Sequence, residues 1–151
     1  MTRTRRSGSM RTVETFVTSA PVEVVWGILA DVGRWKDWTP TILEVTLLTS
    51  GGLQVGARYR VKQPGLRPAI YEVIDCTANE AFTWVQRLPG GQFIADHKIV
   101  SKDGATEVEL SFSSKGLVAD IACTLYSRKL RQFVATEAQS LRQKCEALTK
   151  V

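Results

Sequence analysis

The sequence predicts an α+β fold: a seven-stranded antiparallel sheet curved around one long C-terminal helix, with two short helices after the first strand. Three observations lead there. Seven stretches of strand-forming residues occur, and the last six are separated by connections too short for parallel crossovers. One segment, residues 117–148, keeps helical apolar spacing for about eight turns. The 151 residues suffice for one core, and that helix is the only element large enough to cover the sheet.

The first strand is residues 12–18, Thr-Val-Glu-Thr-Phe-Val-Thr, rich in β-branched types. Ser19-Ala20-Pro21 then starts a helix, with Pro21 expected in the first turn, where its missing N–H costs nothing. Val22, Val25, Trp26 and Leu29 follow at i, i+3, i+4 and i+7, one apolar stripe. Asp31 is the expected N-cap of a second short helix with Trp35 and Trp38 on one face. Thr39-Pro40 ends it, because a residue before proline is pushed out of the α region.

Six further strands are expected at 42–49, 56–63, 69–76, 81–88, 92–101 and 105–114. Gly51-Gly52, Pro64-Gly65, Pro89-Gly90-Gly91 and Asp103-Gly104 mark turns between them. In the last strand Glu107, Glu109, Ser111 and Ser113 alternate with Val108, Leu110 and Phe112, giving a wet and a dry face. The dry phase elsewhere selects Tyr59, Val61 and Gln63; Tyr71 and Val73; Phe82, Trp84 and Gln86; and Phe93, Ala95, His97 and Ile99. A bulge would invert any such set beyond its position. The first part of the long helix, 117–126, is apolar on nearly every side, which predicts that it is buried all round or lines a cavity.

Composition narrows the function. Hydrophobic residues make up 44% and charged residues 23% of the chain, the balance of a globular protein. No apolar stretch approaches the ~20 residues that span a bilayer, and the basic opening lacks an apolar signal-peptide region. The net charge is +5, but Arg3, Arg5, Arg6 and Arg11 account for most of it. Without those four, 16 basic residues face 15 acidic ones, a balance of +1. Residues 1–10 are therefore expected to be a disordered basic arm, and 11–151 one nearly neutral ligand-binding domain. Because the basicity lies in the arm and not on an aromatic-bearing face, no nucleic-acid partner is expected.

Cys76, Cys123 and Cys145 are scattered, and His97 is the only histidine. No set of that kind makes a metal site, and no cofactor motif is present, so neither metal nor cofactor is expected. Three cysteines inside apolar patterns suit reduced core thiols and a cytoplasmic location. Neither a P-loop nor a dinucleotide fingerprint occurs; Pro89-Gly90-Gly91-Gln92 sits in a hairpin. No nucleophile elbow serves His97, and with Glu72, Glu107 and Glu109 read as outward, the candidate carboxylates left are Asp96, Glu44 and Asp120.

Ser19 to Trp26, Asp31 through Trp35 to Trp38-Thr39-Pro40, Val55 to Tyr59, Gln63-Pro64, Phe82-Thr83-Trp84, His97 and the C-terminal helix together carry a resemblance over residues 11–148. The chain resembles the START/SRPBCC superfamily, the helix-grip fold, in its polyketide cyclase/dehydrase-like branch. That resemblance implies a cavity between sheet and helix that binds lipids, sterols, polyketides or other apolar ring compounds. Some members are cyclases or dehydratases.

On this reading the ligand contacts are Trp35, Trp38, Tyr59, Tyr71, Trp84, Phe93, His97, Phe112, Ile121 and Leu125. His97 is either a general acid/base, with an ordinary pKa near ~6.5, or a buried histidine satisfied by a neighbour. Trp35, Trp38 and Trp84 are either an aromatic wall for a flat ligand or core packing. Tyr59 and Tyr71 either orient a ligand carbonyl or hydroxyl, or serve only as strand formers. The expected function is binding or carriage of a small hydrophobic molecule; the alternative is a cyclase/dehydratase-like enzyme using His97. No stable membrane insertion is expected, and a homodimer stays open.

Overall fold

A computed structural model describes residues 10–149. Apart from Met10, the expected basic arm lies outside the described residues. The strands are β1 (Arg11–Thr18), β2 (Glu44–Leu47), β3 (Arg58–Lys62), β4 (Ala69–Thr77), β5 (Ala81–Leu88), β6 (Gly91–Lys102) and β7 (Ala105–Lys115). They form one antiparallel sheet in the order β1-β7-β6-β5-β4-β3-β2. Only β1 is placed out of sequence, beside the last strand. The excursion between β1 and β2 holds α1 (Val22–Ala30) and a short 3-10 helix, Val32–Asp37. Behind β7 come α2 (Leu117–Leu125) and α3 (Ser127–Thr149).

Strand phase follows the dry faces expected from the sequence. Tyr59, Val61, Tyr71, Val73, Phe82, Trp84, His97, Ile99, Val108 and Leu110 are all buried. Val134, Ala138, Leu141 and Cys145 of α3 close the core against them. The one phase change is a bulge in β4. Val73 opposes Trp84 while Cys76 opposes Phe82, so three steps on β4 match two on β5. The extra residue leaves both Ile74 and Asp75 on the surface and turns Cys76 toward the core.

Several boundaries differ from expectation. β2 is four residues long, not 42–49, because this edge strand has only five-residue β3 to pair with. Pro21 is the N-cap of α1 rather than a first-turn residue: its φ of −60° and ψ of 153° are extended. Its carbonyl accepts from Val24 N (3.0 Å) and Val25 N (3.2 Å). Asp31 caps the 3-10 helix by position only, its carboxylate turning to Arg34 at 3.6 Å.

The largest difference concerns 117–148, which is not one helix. It breaks at Tyr126 because its two parts seat on different surfaces. α2 rests on the β6–β7 end through small residues, Ala119 and Cys123, whereas α3 crosses the sheet with its apolar stripe. Burial all round along 117–126 is therefore incorrect: Leu117 (74%) and Leu125 (76%) are mostly exposed, as are Val118, Ile121 and Tyr126 to lesser degrees. A helix laid on the rim of a sheet has only one face to bury. Gly116 permits that seating. Its φ is +95°, and a Cβ there would lie 2.7 Å from Gly91 Cα and 2.8 Å from the Gly90 carbonyl. Only glycine tolerates both.

Candidate functional site

Between α3 and the concave face of the sheet lie two connected spaces. The inner one is a chamber of about 60 Å³ walled by Trp35, Trp84, Tyr71 and Phe112, with Ile42, Val61, Leu130, Phe133 and Val134 completing it. Gln63, His97 and Glu137 are its polar members. The outer one, about 430 Å³, opens between the β3–β4 loop (Gly65, Leu66, Arg67) and the α2–α3 junction (Ala122, Tyr126, Leu130). Gln63, Tyr71, Phe112 and Leu130 line both spaces and form the neck.

The inner chamber is small because aromatic side chains fill the grip. Trp84 is their hub, with ring centroids 5.0 Å from Tyr71, 5.2 Å from Trp35, 5.6 Å from Phe82 and 5.7 Å from Tyr59. Trp35 is anchored by its indole N–H, which donates to the Leu29 carbonyl at 3.0 Å. Adjacent rings in tilted and edge arrangements pack favourably, each pair adding about 0.5–1.5 kcal/mol beyond burial.

His97 sits at the deep end. Its ring stacks on Phe82 with centroids 4.0 Å apart and planes 11° from parallel. Nδ1 lies 3.2 Å from the Phe82 carbonyl. A carbonyl only accepts, so Nδ1 carries the proton and Nε2 presents a lone pair. Among the described residues Nε2 has no hydrogen-bond partner. Burial lowers the His97 pKa to about 4, against the opposing effects of the Phe82 carbonyl and Asp96. At neutral pH His97 is an uncharged acceptor rather than an acid.

Glu137 is the residue that the sequence reading missed. It projects from α3 into the chamber, and its Oε1 is buried without a hydrogen-bond partner. Burial raises its pKa to about 7. The signal was available: Leu130, Val134, Glu137 and Leu141 are spaced 4, 3 and 4 apart, which places one charge inside an apolar helical stripe. Its carboxyl also raises the pKa of Tyr71 together with the larger effect of burial, so Tyr71 stays a neutral phenol. Asp96, Glu44 and Asp120, the carboxylates named from sequence, lie elsewhere: Asp96 accepts from Thr83 Oγ1 at 2.5 Å, Asp120 accepts from Ser114 Oγ at 2.7 Å, and Glu44 is exposed on β2.

Of the ten expected contacts, Trp35, Tyr71, Trp84, His97 and Phe112 line the chamber, while Phe93 joins Tyr71 and Phe112 at the mouth. Tyr59 is buried behind Trp84 and reaches neither space; burial raises its pKa. Trp38 packs on Trp35 at 5.7 Å but lines a separate cleft with Glu23, Asp31, Arg34 and Lys144. Ile121 and Leu125 line neither cavity space, because the buried side of α2 is the Ala119–Cys123 side.

Among the described residues no His, Cys, Asp or Glu cluster could hold a metal ion, and no helix is long and apolar enough to cross a membrane. The three cysteines are free, and burial pushes Cys145 up to about 11.

A family model described as polyketide cyclase / dehydrase and lipid transport matches residues 10–146. No significant match is found among curated proteins. Among solved structures, the Zhui aromatase/cyclase from Streptomyces sp. R1128 superposes with a TM-score of 0.78 at 16% identity, covering 95% of this chain and 97% of that one. A START superfamily protein from Mycobacterium smegmatis gives 0.68 at 18%, with 92% and 99% covered. The di-domain ARO/CYC StfQ from the steffimycin biosynthetic pathway gives 0.74 at 11%, with 97% of this chain matched to 54% of that one. At such identities the likeness is one of fold.

Proposed function

The chain belongs to the polyketide cyclase / dehydrase and lipid transport family, and from that premise we propose that it binds or carries a small, largely apolar ring compound bearing a hydroxyl group. One observation carries this reading. An aromatic-walled chamber holds Glu137 Oε1, which among the described residues is buried without a hydrogen-bond partner, together with His97, whose Nδ1 is committed to the Phe82 carbonyl. A buried polar atom without a partner costs about 1–3 kcal/mol, and a ligand donor removes that cost. Size supports the same assignment. The mouth, at about 430 Å³, has the volume of a ligand pocket, whereas the 60 Å³ chamber admits only a substituent. The ring rests in the mouth against Phe93 and Phe112, and its hydroxyl enters past Tyr71. In this reading residues 11–151 act as one ligand-binding domain in the cytoplasm, where the three thiols stay reduced.

Thermal shift against matched pairs, such as naphthalene and naphthol, tests it. The hydroxylated member should stabilise the protein by about 2.7 kcal/mol at a hundredfold excess over Kd. Glu137→Gln and His97→Gln should each weaken that preference. No shift with any hydroxylated ring compound sinks the reading.

A second reading, cyclisation or dehydration of a polyketide-like chain, draws on a different observation. A neutral histidine with a free lone pair and a carboxyl titrating near neutrality line one aromatic-walled chamber. His97 Nε2 would then accept the proton, and the Tyr71 hydroxyl, rather than that of Tyr59, would steady a carbonyl. Orientation and exclusion of water supply the remaining acceleration. His97→Ala and His97→Gln, assayed for an aromatic product, decide it: unchanged turnover removes His97 from the chemistry.

A further inference from the structure

Among the described residues nothing covers the outer face of α2. Leu117, Ile121 and Leu125 recur at i, i+4 and i+8, so they form one outward stripe opposite Ala119 and Cys123. Val118 and Tyr126 widen it, and Tyr126 also lines the mouth of the cavity. A contiguous apolar patch of this kind marks an interaction surface.

Charge says what covers it. Between residues 115 and 131 the chain carries Lys115, Arg128, Lys129 and Arg131 against Asp120 alone. Asp120 is turned toward the sheet by accepting from Ser114 Oγ at 2.7 Å. Across the mouth, exposed Arg67 adds a further cation. Among the described residues none of these five cations is in an ion pair. A second copy docked through the same face would bring like charges together. A surface that is apolar in its middle and anionic around it fits both features.

We propose that the α2 rim docks on the surface of an anionic phospholipid bilayer, with α2 lying in the interfacial plane and the mouth of the cavity against the lipid. A short helix with an apolar stripe and basic flanks is the usual form of such a contact. Each lysine or arginine near an anionic leaflet strengthens partition about fivefold, so the contact is expected to be reversible and salt-sensitive. It does not span the membrane. The docking does not rest on the ligand reading, although Tyr126 and Arg67 also line the mouth in which that reading seats the ring.

The test is flotation of the full chain with large unilamellar vesicles of equimolar phosphatidylglycerol and phosphatidylcholine, compared with phosphatidylcholine alone. Binding to the anionic vesicles is expected in 50 mM NaCl, falling at least tenfold in 0.5 M NaCl and on neutral vesicles. The double substitution Ile121→Asp and Leu125→Asp should weaken it at least tenfold while circular dichroism and Tm stay unchanged. As a readout independent of the variant, hydrogen exchange at α2 amides of the unaltered chain should slow when anionic vesicles are added. No vesicle binding, or equal binding by the double variant, overturns the proposal. So does a dimer, seen by light scattering, that the double variant splits while vesicles leave α2 exchange unaltered.

Discussion

α2 and α3 are consecutive helices that read as one in the sequence, yet they use apolar residues in opposite ways. α2 is apolar on nearly every side and keeps Leu117, Ile121 and Leu125 in solvent; α3 is mostly polar and buries Leu141 and Cys145 completely. Burial follows from what lies opposite a helix, not from how apolar the helix is. α3 faces the full width of a sheet, whereas α2 faces the end of one hairpin. The small residues Ala119 and Cys123 let α2 approach that hairpin closely, so its larger side chains have nowhere to go but outward.

The contrast can be broken most sharply by truncating one leucine in each helix. Leu141→Ala should cost about 2–5 kcal/mol in urea denaturation, the range for fully buried leucines. Equal tolerance at Leu141 and Leu125 would dissolve the distinction.

Next in size is the charge that α3 carries into the core. Glu137 has a folded pKa of about 7 against an ordinary 4.5, so its contribution to stability is greatest below 4.5 and is lost as pH rises to 7. His97 runs the other way: with a folded pKa of about 4 against 6.5, its contribution is lost as pH falls through that interval. Between 4.5 and 6.5 the folded state holds its proton on Glu137 and the unfolded state on His97, so the two slopes cancel. The unaltered protein should therefore be flat in that window. Glu137→Gln should make stability rise with pH there, gaining on the order of 3 kcal/mol over the unaltered protein by pH 8. His97→Gln should make it fall. Thermal unfolding across pH 4–8 checks all three, and a flat profile for either variant contradicts the assigned shifts.

Gly116→Ala tests the seat of α2 itself. The new Cβ would meet the backbone of Gly90 and Gly91 at a φ of +95°, so a loss of about 1–3 kcal/mol is expected. Faster hydrogen exchange in α2 than in α3 would show that the strain falls on the rim. Smallest of all, Leu125→Ala should change stability by less than about 0.5 kcal/mol, because its side chain is already in water.

Much of this arrangement was legible without coordinates. The turns at Gly51, Gly65, Gly90 and Gly104 and the alternation along the strands were enough to specify seven strands and the inner faces of β3 to β7, because side chains alternate along a strand. Six of the ten expected contacts line the chamber or its mouth for that reason. The other four line neither space, for two reasons. Tyr59 was assigned the right face, but Trp84 stands between it and the cavity; Trp38, Ile121 and Leu125 lie on helices whose orientation is set by distant partners.

The sequence by itself determined the strand count, the inner faces of β3 to β7 up to the bulge in β4, the apolar stripe of α3 and the confinement of most excess charge to the residues before β1. Those properties are local, fixed by backbone geometry and side-chain period. Only the tertiary structure decided that the C-terminal helix breaks at Tyr126, that α2 sits on the rim with its leucines outward, and that Glu137 and His97 line one chamber. Each of those depends on which surface a helix finds opposite it, and residues far apart in the chain supply that surface.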